Sequence, residues 1–152
     1  MNEDDRESAR QLRSRIQSFL RVFGALEEHE TPCGEPLSVS HAHALMILRD
    51  TDSGIRISDL GAELRVDKSN VSRLCVRMEE EEHVERRPCP EDGRAKRLHL
   101  TEEGAKLAER VEASSLRRFR RILDALPDAR RDDLLLAFDA LNTVLRREFN
   151  EG

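Results

Sequence analysis

The chain has 152 residues, 38% hydrophobic and 38% charged, with a formal net charge of −5. That length suits one domain or one compact subunit. No uncharged apolar run nears the roughly 18 residues that would raise a membrane span, and Met1-Asn2-Glu3-Asp4-Asp5 lacks the apolar region of a signal peptide, so no membrane partner is expected.

Three cysteines without a CxxC pair point away from a disulfide scaffold and toward a reducing, cytoplasmic setting. There is no Trp or Tyr and only five Phe, which disfavours stacking on single-stranded bases. The acidic average does not suit a uniformly basic nucleic-acid binder. Residues 86–97, however, gather Arg86, Arg87, Arg94, Lys96 and Arg97 against Glu91 and Asp92. So charged a chain buries a thin core alone, and long amphipathic helices packed on a partner subunit would relieve that.

In chain order, Leu12, Ile16, Phe19, Leu20, Phe23 and Leu26 form one stripe of a helix, which fades near Glu30 and is broken by Thr31-Pro32-Cys33-Gly34-Glu35-Pro36. Ser40 reads as the N-cap of a second helix carrying Ala44, Leu45, Ile47 and Leu48, ended by Asp52-Ser53-Gly54. Ile55-Arg56-Ile57 reads as a short extended piece. Ser58 reads as the cap of a short third helix with Leu60, Ala62 and Leu64, and Asp67 as the cap of a fourth from about Lys68 to Glu82.

The period then changes. Val84–Arg87 and Lys96–Leu100 read as strands around the turn-forming Pro88-Cys89-Pro90-Glu91-Asp92-Gly93. Thr101 caps a long fifth helix with Leu107, Val111, Leu116, Phe119, Ile122, Leu123 and Leu126, which Pro127 stops. Asp128 caps a sixth with Leu134, Leu135, Phe138, Leu141, Val144, Leu145 and Phe149.

A short helix, a tight turn, a second helix and a two-stranded hairpin make a winged helix-turn-helix. The expected fold is mainly α with a small β-hairpin wing. Val71, Leu74, Cys75 and Met78 give the fourth helix a core stripe, and Lys68, Ser69, Asn70, Ser72, Arg73 and Arg77 remain for base edges and phosphates in a major groove. Arg94, Lys96 and Arg97 on the hairpin suit a narrow minor groove. Any one of these charges alone would read as a solvated face; their joint occurrence points to double-stranded DNA.

The run Leu60–Leu74, with Glu85-Arg86-Arg87-Pro88, Glu91–Arg97 and Leu98–Gly104, resembles the recognition segment and wing of the MarR family of bacterial transcription regulators. The resemblance covers about residues 37–110 by motif and the remainder by helix order. It implies a homodimer: an N-terminal dimerisation helix (1–36), a DNA-binding winged helix-turn-helix (37–101) and C-terminal dimerisation helices (102–152). Each subunit would meet one half-site of a palindrome. Asp92 would match a wing aspartate that braces the wing by pairing with an arginine, and Arg94 the arginine that enters the minor groove. One departure stands out. The family usually has a glycine where the fourth helix meets the wing, and here the run is Glu79-Glu80-Glu81-Glu82-His83-Val84. Glu82 would have to adopt a left-handed cap at some cost, and the acids oppose the helix dipole.

The resemblance further implies release by a small aromatic or phenolic effector. Cys33, His41 and His43 are candidate zinc ligands, with Glu30 and His29 nearby, although the later histidine pair of zinc-responsive relatives has no match in residues 102–126. Cys89, near Arg86 and Arg87, is a candidate reactive thiol. No P-loop, GxGxxG, HExxH or nucleophile elbow is present, so no enzyme and no cofactor is expected. The reading that emerges is a DNA-binding regulator, expected to be a repressor. The alternatives are a dimeric helical interaction module without DNA binding, or a metal- or thiol-sensing regulator.

Overall fold

The computed structural model describes residues 2–149; the ends of the two expected dimerisation segments, Met1 and 150–152, lie outside them. In chain order the elements are α1 (Glu3–Phe23), α2 (Val39–Arg49), β1 (Ile55–Arg56), α3 (Ile57–Leu64), α4 (Lys68–Glu80), β2 (Val84–Pro88), β3 (Lys96–Leu100), α5 (Glu102–Ala125) and α6 (Asp128–Phe149). The chain divides into two compact units, residues 1–114 and 115–152.

In the first unit one core gathers Ala42, Ala44, Leu45 and Leu48 of α2, Leu60 of α3, Val71, Leu74, Cys75 and Met78 of α4, Val84, Leu98, and Leu107, Ala108 and Val111 of α5. The α4 stripe read from the sequence is thus the face that packs. The three strands form one antiparallel sheet in the order β1-β3-β2. Ile55 pairs with Leu98, and Val84 with Leu100 through to Pro88 with Lys96. The extended Ile55-Arg56 is therefore a sheet edge. Pro88 is tolerated because β2 is the other edge, where a missing N–H breaks no ladder on its outer side.

The helix starts follow from cap chemistry, and several boundaries differ from the sequence reading: α1, read to near Glu30, already ends at Phe23, and α2 ends at Arg49, ahead of Asp52-Ser53-Gly54. α2 begins two residues earlier, because Ser38 Oγ accepts from the His41 amide at 3.1 Å and Ser40 lies inside the helix. α3 rises straight off β1 with Arg56 as its N-cap and no side-chain cap, so Ser58 sits within it. α4 stops at Glu80 rather than Glu82. There Glu82 takes φ +60, the His83 amide returns to the Met78 carbonyl at 2.9 Å, and the Glu82 amide returns to Glu79 at 3.0 Å. This is a Schellman ending with glutamate in the left-handed seat that glycine prefers. The turn is held from outside as well: Thr101 Oγ1 donates to the Glu82 carbonyl, and the Thr101 amide to the His83 carbonyl.

α1 opens with a capping box between Asn2 and Asp5 and ends at Gly24 in the left-handed conformation. It has no fully buried residue, and neither does α6. Except for Val76, the exposed large hydrophobic residues lie on α1 and its C-terminal turn, on α5 beyond residue 115, or on α6.

Candidate nucleic-acid interface

Asp67 organises the start of α4. Its Oδ1 accepts from the Asn70 amide at 2.8 Å and from Ser69 Oγ at 3.1 Å, and its Oδ2 from Asn70 Nδ2 at 2.8 Å. The Asn70 amide bond, then the Ser69 hydroxyl, hold its carboxyl below the usual range. Asn70 Oδ1 in turn accepts from Arg73. Ser69, Asn70 and Arg73 are thus linked to one another in the free chain, whereas Lys68, Ser72 and Arg77 are exposed without such a link. A shallow hollow on this face is lined by Ser72, Arg73, Val76, Arg77 and Glu80. Sequence reading overlooked Val76. It falls outside the core stripe yet is 46% exposed, and an apolar side chain there suits a thymine methyl.

The wing turn is built by Asp92, whose Oδ1 accepts from the Arg94 amide at 3.0 Å and whose carbonyl accepts from the Ala95 amide at 3.1 Å. Among the described residues no ion pair joins Asp92 to an arginine; the tight turn points its carboxylate at its own backbone. Arg94 and Lys96 are exposed at the tip. A groove of about 510 Å³ runs between the start of α3 and the wing, lined by Arg56, Ile57, Ser58, Arg86, Arg94, Ala95 and Lys96. Arg56 and Arg86 were not among the expected contacts. Arg97 alternates to the other face of β3, is half-buried, and donates to the Gly54 carbonyl at 3.3 Å.

Cys89 is buried at the base of the turn. Its thiol is drawn down to about 7 by the Glu91 amide first, then the Arg97 side chain, the Asp92 amide and Arg56. The cations that act on it are therefore Arg97 and Arg56, in place of Arg86 and Arg87. Arg87 pairs with Glu85, and Arg86 with Glu79 at 2.7 Å. That second pair also engages one of the four acids, Glu79–Glu82, at the end of α4.

The candidate zinc ligands Cys33, His41 and His43 form no common cluster among the described residues. His43 is exposed on α2, and Cys33 lies in the preceding loop. His41 instead turns inward to meet His83 and Glu81. Helical geometry explains the correction: positions 41 and 43 lie about 200° apart around a helix, so one faces the core and the other water.

Residues 35–95, from the approach to α2 through the wing turn, match the family model described as MarR family. This winged-helix segment is thus similar to the MarR family. A comparison with curated proteins finds no match. Among solved structures, the chain is similar to Streptococcus pneumoniae FabT in complex with DNA: 17% identity, 93% of this chain and 97% of that one, TM-score 0.72. It is similar to the transcriptional regulator SlyA, at 16% identity over 98% of both chains with TM-score 0.66. It is also similar to the PcaV transcriptional regulator of Streptomyces coelicolor in complex with its natural ligand, at 20% identity over 88% of both chains with TM-score 0.63. The fold matches that of these solved regulators, and among the described residues no helix is long and apolar enough to cross a membrane.

Proposed function

We propose that this chain is a sequence-specific, double-stranded-DNA-binding transcription regulator, acting as a repressor and as a homodimer on a palindromic operator. The observation that carries the reading is the pairing of two surfaces in one unit: the exposed polar face of α4 and the groove containing Arg56, Arg86, Arg94 and Lys96 beside it. The first fits base edges in a major groove, the second phosphates and a minor groove. Lys68, Ser69, Asn70, Ser72, Arg73 and Arg77 are the α4 contacts. Breaking the Asn70–Arg73 bond is part of their engagement. Arg94 and Lys96 are the wing contacts. Arg97 supports the wing from beneath, and Asp92 shapes its turn.

The apolar residues exposed on α1 and α6 support the homodimer, since burying each is worth about 1.5–3 kcal/mol. Release by a small aromatic or phenolic effector is part of the proposal; a relative of the same fold, PcaV, is solved with its natural ligand. The test is a titration of promoter-fragment affinity against salt. Counterion release gives a straight fall of log K with log salt, with a slope of about −0.9 per phosphate contact. Absent or salt-independent binding would leave a dimeric helical interaction module.

A further inference from the structure

Three side chains converge where the first turn of α2 meets the turn joining α4 to β2. His41 stands in the first turn of α2, its ring only 2% exposed. Glu81 caps the end of α4, and His83 follows across the left-handed Glu82. His83 Nδ1 lies 3.2 Å from His41 Nε2. Glu81 Oε2 lies 3.5 Å from His83 Nδ1 and 3.7 Å from His41 Nδ1. Nitrogen and oxygen donors around a tetrahedral zinc at about 2.0–2.1 Å stand about 3.3–3.4 Å apart, so the two ring nitrogens are already at that spacing. The Glu81 side chain is 47% exposed and free to swing, and the His83 side chain is 20% exposed, which leaves a path from solvent to a fourth, water-filled position.

We propose that His41, His83 and Glu81 bind one divalent transition-metal ion of the zinc class. Two imidazoles and a carboxylate suit borderline cations such as Zn²⁺ or Co²⁺ better than Ca²⁺ or Mg²⁺, which favour all-oxygen shells. The backbone around the cluster is fixed: the Glu82 and His83 carbonyls are both held by Thr101. The ion would join the first turn of α2, the end of α4 and the start of β2, clamping the C-terminal end of the helix whose exposed face carries Arg73 and Arg77. The site stands whether or not the chain binds DNA.

The test uses the full chain stripped with a chelator. Zn²⁺ is titrated in competition with a chromophoric chelator, Co²⁺ is followed by its visible absorption, and the melting temperature is read with and without Zn²⁺. One ion per chain and a rise in melting temperature are expected. Zn²⁺ affinity should fall by more than about tenfold in His83→Asn and in Glu81→Gln, and stay unchanged in His43→Ala and Cys33→Ser. His83→Asn carries the test because its ring is partly exposed; its metal-free melting temperature and circular dichroism should match those of the parent, which separates lost ligation from lost folding. Uptake below about one-tenth of an ion per chain would overturn the proposal. So would parental affinity in His83→Asn, or loss of binding in His43→Ala or Cys33→Ser instead.

Discussion

Single residues in the wing turn have distinct tasks. Arg94 is exposed, and among the described residues it forms no ion pair. Arg94→Ala is expected to weaken operator binding by about 1–3 kcal/mol in a mobility-shift titration, while sedimentation shows the parental dimer. Cys89 sits behind the same turn, and its lowered thiol carries a pH signature. Above about 7 the folded chain holds the thiolate, while the unfolded chain keeps its thiol protonated to about 8.5. The native state then releases a proton that the unfolded state retains, so the contribution grows as pH rises through this window and is lost as pH falls through 7. The melting-temperature difference between parent and Cys89→Ala should therefore shift in the parent's favour from pH 6.5 to pH 9 (~2.5 pH units, spanning both values). A flat difference would show the thiol to be unperturbed. The expectation that Arg86 and Arg87 act on this thiol fails because each is drawn to an acid, Arg86 to Glu79 and Arg87 to Glu85.

At the scale of elements, the end of α4 shows how one turn depends on its neighbour. The Glu82-His83 turn lies against the first turn of α5 so closely that a Cβ on Gly104 would meet the His83 carbonyl oxygen at 1.9 Å. Backbone cannot yield as a flexible side chain can. Gly104→Ala should destabilise the chain by about 1–3 kcal/mol or more in urea unfolding, a larger effect than an alanine in an open helix would have. The departure at Glu82 was legible only through the resemblance to the MarR family, whose members usually carry glycine there. That Thr101 would hold the strained turn was not, since the partners are nineteen residues apart. The α4 stripe, the Asp67 cap and the hairpin were legible, each resting on spacings of a few residues. Arg97 is a different case. Strict alternation from the core residue Leu98 already puts it on the opposite face from Lys96, and grouping it with the tip overlooked that.

For the whole molecule, the composition leaves too little apolar surface for a thick core, and the structure shows where the remainder lies. The fully buried residues all fall in the first unit, while Leu116, Phe119, Ile122, Leu135, Leu136 and Leu145 remain exposed in the second. Leu136 is 66% exposed, so a polar replacement takes nothing from the core of a single chain. Leu136→Glu should shift the sedimentation equilibrium from dimer toward monomer by about tenfold or more, with the helical circular dichroism intact. Under the proposed dimer on a palindrome, operator affinity should fall with it, because two half-sites bound by one dimer would share a single entropic cost.

Sequence alone determined the order of helices, the winged helix-turn-helix and the polar face of α4. Those depend on periodicity, caps and turn residues, all forces acting within about four residues along the chain. Only the tertiary structure decided which cations share a groove, which way Arg97 and Cys89 face, and that His41 meets His83 across 42 positions. Such meetings are settled by how separate elements pack on one core, and no local spacing along the chain encodes that distance.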